Sequence, residues 1–83
     1  MTIEPELLSI LRCPETQQRL KAAEPELLEW LNQQIRTGQL RNRAGEPVGE
    51  MLDGGLVCED GRRLYPIRLG IPVMLADESI PLG

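Results

Sequence analysis

The spacing of apolar residues predicts a helix at the start of this chain. Apolar side chains between residues 7 and 11 recur at helical intervals. Pro5 suits the first helical turn, where its missing N–H leaves no bond unmade, and Glu4 and Glu6 complement the positive end of the helix dipole. Pro14 disfavours helical geometry at the residue before it. We therefore predict a helix from Glu4 that ends ahead of Pro14.

A second amphipathic stripe predicts a helix in the middle of the chain. Apolar residues between positions 27 and 35 again follow helical spacing, behind Pro25 and ahead of Gly38, a favourable helix stop. We interpret this stripe as core. The alternative is that Trp30 is exposed and contacts a partner protein, because tryptophan often anchors interfaces.

Short apolar runs separated by turn residues predict antiparallel strands in the C-terminal half. Residues 55–58 and 63–67 flank Asp60-Gly61, a dipeptide that favours a hairpin. Pro66 lacks a donor for strand pairing, so its strand is predicted to lie at a sheet edge or to end there. Further extended segments are predicted at 17–22 and, after a turn at Leu69-Gly70, at 71–75.

Together these elements predict one small α+β domain spanning residues 1–83. A zinc-ribbon-like sheet with its N-terminal helix is expected from about residues 4–22 and 54–78. Residues 24–54 are interpreted as a helix-and-loop excursion, because so short a segment cannot bury a core of its own. Residues 76–83 are expected to form a loosely held tail.

Charge and hydropathy narrow the class of partner. The net charge of −4 weighs against direct nucleic-acid binding, and the scattered arginines are interpreted as solvated charges rather than a phosphate-binding face. No stretch approaches the ~20 apolar residues of a membrane span. The N-terminus shows no export signal, so we expect a cytoplasmic location without membrane contact.

The sequence displays no catalytic constellation. It contains no histidine, which removes the commonest general base and metal ligand. Its carboxylates cluster at helix starts, a hairpin turn and the tail, and its glycines match no phosphate-binding spacing. We therefore expect a protein that is not an enzyme and that carries no cofactor.

Two cysteine-led turns, Cys-Pro-Glu-Thr from Cys13 and Cys-Glu-Asp-Gly from Cys58, resemble halves of metal knuckles. A structural zinc site usually takes four soft ligands from two such turns. Thr16 and Gly61 occupy the positions of the second ligands, so we expect no zinc. The thiols are interpreted as small buried hydrophobes, with a Cys13–Cys58 disulfide as the alternative.

The two cysteine-led turns and two further stretches resemble the Trm112-like family and its bacterial YcaR-like branch. The further stretches are Gly55-Leu56-Val57-Cys58 and the run from Tyr65-Pro66-Ile67 to Gly70-Ile71-Pro72-Val73-Met74-Leu75. The resemblance covers residues 4–22 and 54–78. It implies a zinc-ribbon-like fold in which Cys13 and Cys58 match the first cysteine of each knuckle. Thr16 and Gly61 then mark vestigial positions.

The resemblance also implies a function as a small non-catalytic binding or scaffold protein. Family members resemble activating subunits that bind S-adenosylmethionine-dependent methyltransferases acting on translation components, through a strand edge and an apolar patch. Two alternatives remain: a redox-responsive module with a Cys13–Cys58 disulfide, and a homo-oligomer, such as a homodimer, joined through an edge strand. The candidate partner-binding residues are Tyr65, Ile67, Ile71, Val73, Met74 and Trp30.

Overall fold

The computed structural model describes residues 10–14 and 16–82. Most of the predicted N-terminal helix therefore lies outside the described residues. The elements within them are β1 (Leu20–Ala22), α1 (Pro25–Arg36), β2 (Gly54–Cys58), β3 (Arg63–Arg68), β4 (Ile71–Pro72), a 3-10 turn (Ala76–Glu78) and β5 (Ile80–Pro81). This arrangement confirms the α+β class. No helix in the described ranges is long and apolar enough to cross a membrane.

The central helix forms where its apolar stripe predicts it. Pro25 occupies the first turn, and Arg36 lies in the last turn, where its charge favours the negative end of the helix dipole. The chain leaves the helix at Gly38, whose φ of 73° suits a residue without a side chain. Leu31 and Ile35 are buried, whereas Trp30 on the same helix is exposed.

The described strands form one antiparallel sheet in the order β1-β2-β3-β4, and β5 also pairs with β3. The predicted hairpin at Asp60-Gly61 joins β2 to β3. However, β3 is not the edge strand that Pro66 led us to predict. It pairs with β2 on one side and with both β4 and β5 on the other.

Pro66 is tolerated in this central strand because of where its missing N–H would point. Its carbonyl accepts from the Val73 N–H at 2.8 Å, so its backbone polar groups face the β4–β5 side. β5 pairs with residues 63–64 and β4 with residues 67–68, which leaves Pro66 between them. No ladder donor is required at that gap, so the proline does not interrupt pairing.

Both faces of the central strands are covered. Val57 and Leu64 point into a larger cluster that includes Leu31 and Ile35 of α1. Their neighbours Leu56 and Tyr65 point the other way, because successive strand residues alternate between faces. This second cluster is made of Cys13, Leu20, Leu56, Cys58, Tyr65 and Ile67.

The tail differs from the sequence expectation. Ile80 is fully buried, and β5 pairs Leu64 with Ile80 and Arg63 with Pro81. The 3-10 turn at Ala76–Glu78 reverses the chain and delivers these residues to β3. Residues 76–82 are thus part of the sheet and core, because Ile80 fills space beside Leu64.

The excursion between β1 and β2 is tied to the sheet at its base. The Ala23 N–H donates to the Gly55 carbonyl at 2.8 Å. Asn32 of α1 accepts from the Leu52 N–H at 2.8 Å and donates to the Leu52 carbonyl at 3.3 Å. Arg41 and Pro47 form a bridge around a turn at Gly45. These bonds hold the excursion against the larger cluster.

Candidate binding surface and buried cysteine cluster

A two-residue turn joins β3 to β4 and holds a leucine in an unusual backbone conformation. Leu69 and Gly70 have φ values of 53° and 76°. Such turns fit the twist of antiparallel strands but favour Asn, Asp or Gly at both central positions. The turn is fixed from outside by the Leu69 N–H, which donates to Asp53 Oδ2 at 3.0 Å. The chain therefore holds an apolar side chain at a position where a polar one costs less.

The segment that contains this turn exposes large apolar side chains. Leu69 is 84% exposed, Ile71 67% and Leu75 62%. We call these three residues the hairpin-tip surface. Val73 and Met74 lie between them and are half-buried, and Met74 packs against the second cluster. Contiguous exposed apolar patches mark interaction sites in soluble proteins, which makes this segment the candidate for one.

The hairpin-tip surface adjoins a sheet edge. Among the described residues, β4 pairs with β3 alone and ends the strand order. The turn is also held from the side by Arg68, whose Nη1 lies 3.3 Å from Glu50 Oε2. Backbone groups at such an edge can pair with a strand of another chain.

The structure separates the predicted partner-binding residues into two groups. Tyr65 and Ile67 are buried, at 0% and 4% exposure, so they belong to the core rather than to a contact surface. The reason is that the two clusters cover the two faces of β3. Ile71 and Trp30 are exposed and remain available, and Val73 and Met74 are partly so.

Leu69 and Leu75 are not among the partner-binding residues that the sequence predicts. The signal at Leu69 was present in the sequence, since leucine precedes glycine in a predicted two-residue turn that favours polar residues. Leu75 gave no such signal, because an apolar residue at the end of an extended run is equally typical of a buried strand.

The two cysteines meet in the second cluster, and both are fully buried. Cys13 Sγ lies 2.9 Å from the Tyr65 hydroxyl. The first turn is closed by the Gln17 N–H, which donates to the Cys13 carbonyl at 2.9 Å, and the second by the Gly61 N–H, which donates to the Cys58 carbonyl at 2.8 Å. The knuckle-like turns thus exist and bring both thiols beside one tyrosine.

The pKa values of the two thiols are shifted in opposite directions. Burial raises the pKa of Cys13, but hydrogen bonds to its sulfur from Thr16, Tyr65 and Cys58 outweigh burial and lower the pKa to about 7. Burial, the hydrogen bond to Cys13 and the charge of Cys13 together raise the pKa of Cys58 to about 12. Cys13 is therefore the thiol of the pair that ionises first, and Cys58 keeps its proton to higher pH. Burial first, and then the bond to Cys13, raises the pKa of Tyr65 to about 12.

The residues at the knuckle positions do not supply a zinc ligand set. Within residues 10–14 and 16–82, no group of three or more His, Cys, Asp or Glu side chains is placed to hold a metal. Thr16 and the Tyr65 hydroxyl bond to Cys13 instead. A structural zinc site requires four ligands, and two thiols with two hydroxyls do not match the sulfur and nitrogen donors it takes.

The fold and its surface define a small α+β protein with a ribbon-like sheet and an exposed apolar hairpin. Comparison with known families agrees: residues 4–70 match the family described as Trm112p-like protein. The chain therefore belongs to the Trm112p-like family, as its motifs predicted. Membership of this family supports a small non-catalytic protein that binds other proteins.

A solved structure shares the fold. The solution NMR structure of XF2673 from Xylella fastidiosa is 32% identical to this chain, with a TM-score of 0.75. The similarity covers 95% of this chain and 81% of that one. No curated protein matches this chain.

Proposed function

We propose that this protein binds and stabilises a partner enzyme, an S-adenosylmethionine-dependent methyltransferase that acts on a translation component, through its hairpin-tip surface. The observation that carries the proposal is Leu69, which is 84% exposed and held at a φ of 53°. Family membership supports the class of partner.

Leu69 contributes nothing to the core that would offset its conformation. A non-glycine residue in the left-handed region costs on the order of 1 kcal/mol, and such strain concentrates at functional positions. Burial of a leucine side chain in an interface contributes about 1.5–3 kcal/mol. An apolar side chain at this position is therefore favourable only when another surface covers it.

The edge of β4 would complement this apolar contact. A partner strand that pairs with the outer edge of β4 would fix the register of the complex by backbone hydrogen bonds. Ile71, which lies in β4 and is exposed, would then contact the partner beside Leu69. Strand pairing supplies orientation and the apolar side chains supply affinity.

The test is affinity purification of the tagged protein from its own cells, followed by mass spectrometry. We expect a methyltransferase at near-stoichiometric yield with the natural sequence and with Leu69→Met, which keeps an apolar side chain at the same backbone position. Leu69→Asn combined with Ile71→Ser should lose it. Recovery of the same enzyme with that double variant would contradict the proposed surface, and recovery of no methyltransferase in any sample would contradict the proposed function.

A parallel arm with Trp30→Ala separates the two exposed candidates. Trp30 is 54% exposed on α1, at a distance along the chain from the hairpin. If this substitution abolishes recovery of the partner and the hairpin variants do not, the interface lies on α1 instead.

A redox-responsive module is the second candidate, favoured by the burial of both thiols in one cluster. A peroxide would oxidise the pair, with both thiol hydrogens and the peroxide oxygens leaving as two waters while a Cys13–Cys58 bond forms. Intact mass after peroxide treatment tests it: a loss of about two daltons, reversed by dithiothreitol, is expected for a disulfide. An unchanged mass, or the same loss in Cys13→Ala, would exclude this function.

A further inference from the structure

A second segment of the chain lies against the hairpin that carries the hairpin-tip surface. Residues 50–53, which we call the flanking segment, contact the turn between β3 and β4 through two side chains. Asp53 Oδ2 accepts from the Leu69 N–H at 3.0 Å, and Glu50 Oε2 lies 3.3 Å from Arg68 Nη1. The flanking segment and the hairpin therefore form one continuous surface, although they are separate in sequence.

The flanking segment is anchored to the core and exposes one apolar side chain. Leu52 is buried in the larger cluster, and its backbone bonds twice to the Asn32 side chain of α1. Met51, in contrast, is 41% exposed. The contacts of its neighbours hold Met51 in place beside the turn. A methionine side chain is flexible and polarisable, so it adapts to an irregular apolar surface.

The charges around this surface are mainly negative. Arg68 is paired with Glu50, so these two charges offset each other. Asp53 bonds to an uncharged backbone N–H and keeps its negative charge. The 3-10 turn that follows the exposed apolar segment adds Asp77 and Glu78. Charges within about 8–10 Å of a contact act on it at physiological salt, and the net charge of −4 adds to their effect.

We propose that the flanking segment is part of the binding surface, with Met51 as an apolar contact, and that the protein partner presents an apolar patch edged by lysine or arginine side chains. The partner assigned in this way rests on the proposed function, since the hairpin-tip surface is taken as the place where it binds. Complementary charge steers association and excludes acidic proteins. The same negative charge disfavours nucleic acid and anionic membranes as occupants.

A pair of short peptides tests the chemistry of this surface without the partner enzyme. Both alternate valine with a charged residue, which is lysine in one peptide and glutamate in the other. Each is titrated into the isotopically labelled full chain and followed by two-dimensional NMR. We expect saturable shifts of the Met51, Asp53 and Leu69 amides with the lysine peptide. The glutamate peptide should not produce them, because it carries the same apolar groups with the repelled charge.

Two variants change the flanking segment, and a matched variant changes the opposite hairpin. Asp53→Asn removes a charge but keeps an oxygen that can accept from the Leu69 N–H, and it should weaken binding of the lysine peptide about threefold. Met51→Ser removes the apolar contact and should weaken it about fivefold. Asp60 likewise accepts from a backbone N–H, that of Arg62, at 3.0 Å. Asp60→Asn should therefore leave binding unchanged.

The peptide titrations give a clear decision. Shifts that Asp53→Asn and Met51→Ser weaken, and that Asp60→Asn does not, would support the surface. Equal shifts with both peptides, or no saturable shift with the lysine peptide, would overturn it. Equal weakening in the two asparagine variants would also overturn it, because the lysine peptide would then respond only to the net charge of the protein.

Affinity purification from cells with the same variants separates this proposal from the proposed function. Asp53→Asn and Met51→Ser should each recover less methyltransferase than the natural sequence does. Unchanged recovery with both variants would overturn the role of the flanking segment and leave the proposed function intact. Selective binding of the lysine peptide without any methyltransferase in the purified samples would contradict the proposed function alone.

Discussion

Leu69 and Tyr65 lie close in sequence but belong to different environments. Tyr65 is fully buried and bonded to Cys13 at 2.9 Å, whereas Leu69 lies in solvent at a φ of 53°. One side chain stabilises the second cluster, and the other costs conformational free energy. Substitutions at these two positions should therefore change different properties of the protein.

Leu69→Asn should stabilise the isolated protein. Asparagine tolerates the left-handed conformation better than leucine, so we expect the free energy of unfolding to rise by about 0.5–1 kcal/mol. Urea denaturation of the isolated chain measures this change. A loss of stability would show that Leu69 packs within the chain and would weaken the proposed binding surface.

Tyr65→Phe should raise the pKa of Cys13. The hydroxyl is one of the donors to the thiolate, so its removal favours the protonated thiol and moves the pKa from about 7 toward 9.0. Absorbance of the thiolate during a pH titration reports the shift, with Cys13→Ala identifying the signal of Cys58. An unchanged titration would mean that the other donors suffice.

At the scale of elements, the register of β2 against β3 depends on a glycine. A Cβ atom at Gly55 would lie 2.7 Å from Leu64 Cδ1 and 2.8 Å from Leu64 Cγ. Leu64 is fully buried and cannot move aside without disturbing the larger cluster. The strand therefore requires a residue without a side chain here.

Gly55→Ala should destabilise the fold by about 1–3 kcal/mol, because the added methyl group overpacks the core beside Leu64. Gly49→Ala is the matched control, since no atom lies within 4 Å of its Cβ position. Thermal unfolding of both variants measures the difference. Equal melting temperatures would show that Leu64 repacks freely.

Ile80→Ala tests whether β5 is part of the core. Ile80 is fully buried beside Leu64, so its truncation should cost about 2–5 kcal/mol. Leu75→Ala, at an exposed position, should change the free energy of unfolding little. Denaturation by urea gives both values. A tail that contributes nothing would leave the two variants equally stable.

Local sequence signals predicted where the helix and strands lie better than they predicted which strands pair. The helix at Pro25–Arg36 and the hairpin around Asp60-Gly61 follow from spacing and turn residues that lie within the element itself. The central position of β3 does not, because it depends on β4 and β5 meeting one strand on the same side. The prediction from Pro66 assumed that a partner strand would run past the proline without a gap.

The same limit applies to the candidate site. Tyr65 and Ile67 are apolar residues on a strand, and their pattern is the same whether the second face is covered or exposed. The knuckle-like turns were predicted from Cys13 and Cys58, and the structure brings both into one cluster.

At the scale of the whole molecule, the cysteine pair makes stability depend on pH. The folded pKa of Cys13 lies below its ordinary 9.0, at about 7, so its contribution is present above pH 9 and is lost as the pH falls toward 7. The folded pKa of Cys58 lies above 9.0, at about 12, so its contribution is present below pH 9 and is lost as the pH rises toward 12.

The urea midpoint of the reduced protein, compared with that of Cys13→Ala, should therefore rise from pH 7 to pH 9. Above pH 9 the midpoint of the reduced protein should fall, because the pKa of Cys58 is raised to about 12. Tyr65 adds to this fall, because its own pKa is raised from 10.0 to about 12. A difference between the two proteins that stays constant from pH 7 to pH 9 would contradict the low pKa of Cys13.

The bond from the Ala23 N–H to the Gly55 carbonyl, at 2.8 Å, has a consequence for evolution by insertion. It joins the two ends of the excursion at the sheet. The pairing of β1 with β2 therefore does not depend on how many residues lie between them. Closing a flexible segment costs only about 0.6 kcal/mol more for each doubling of its length. Lineages could thus lengthen or shorten this part of the chain, and change the surface it presents, while β1 and β2 keep the same pairing.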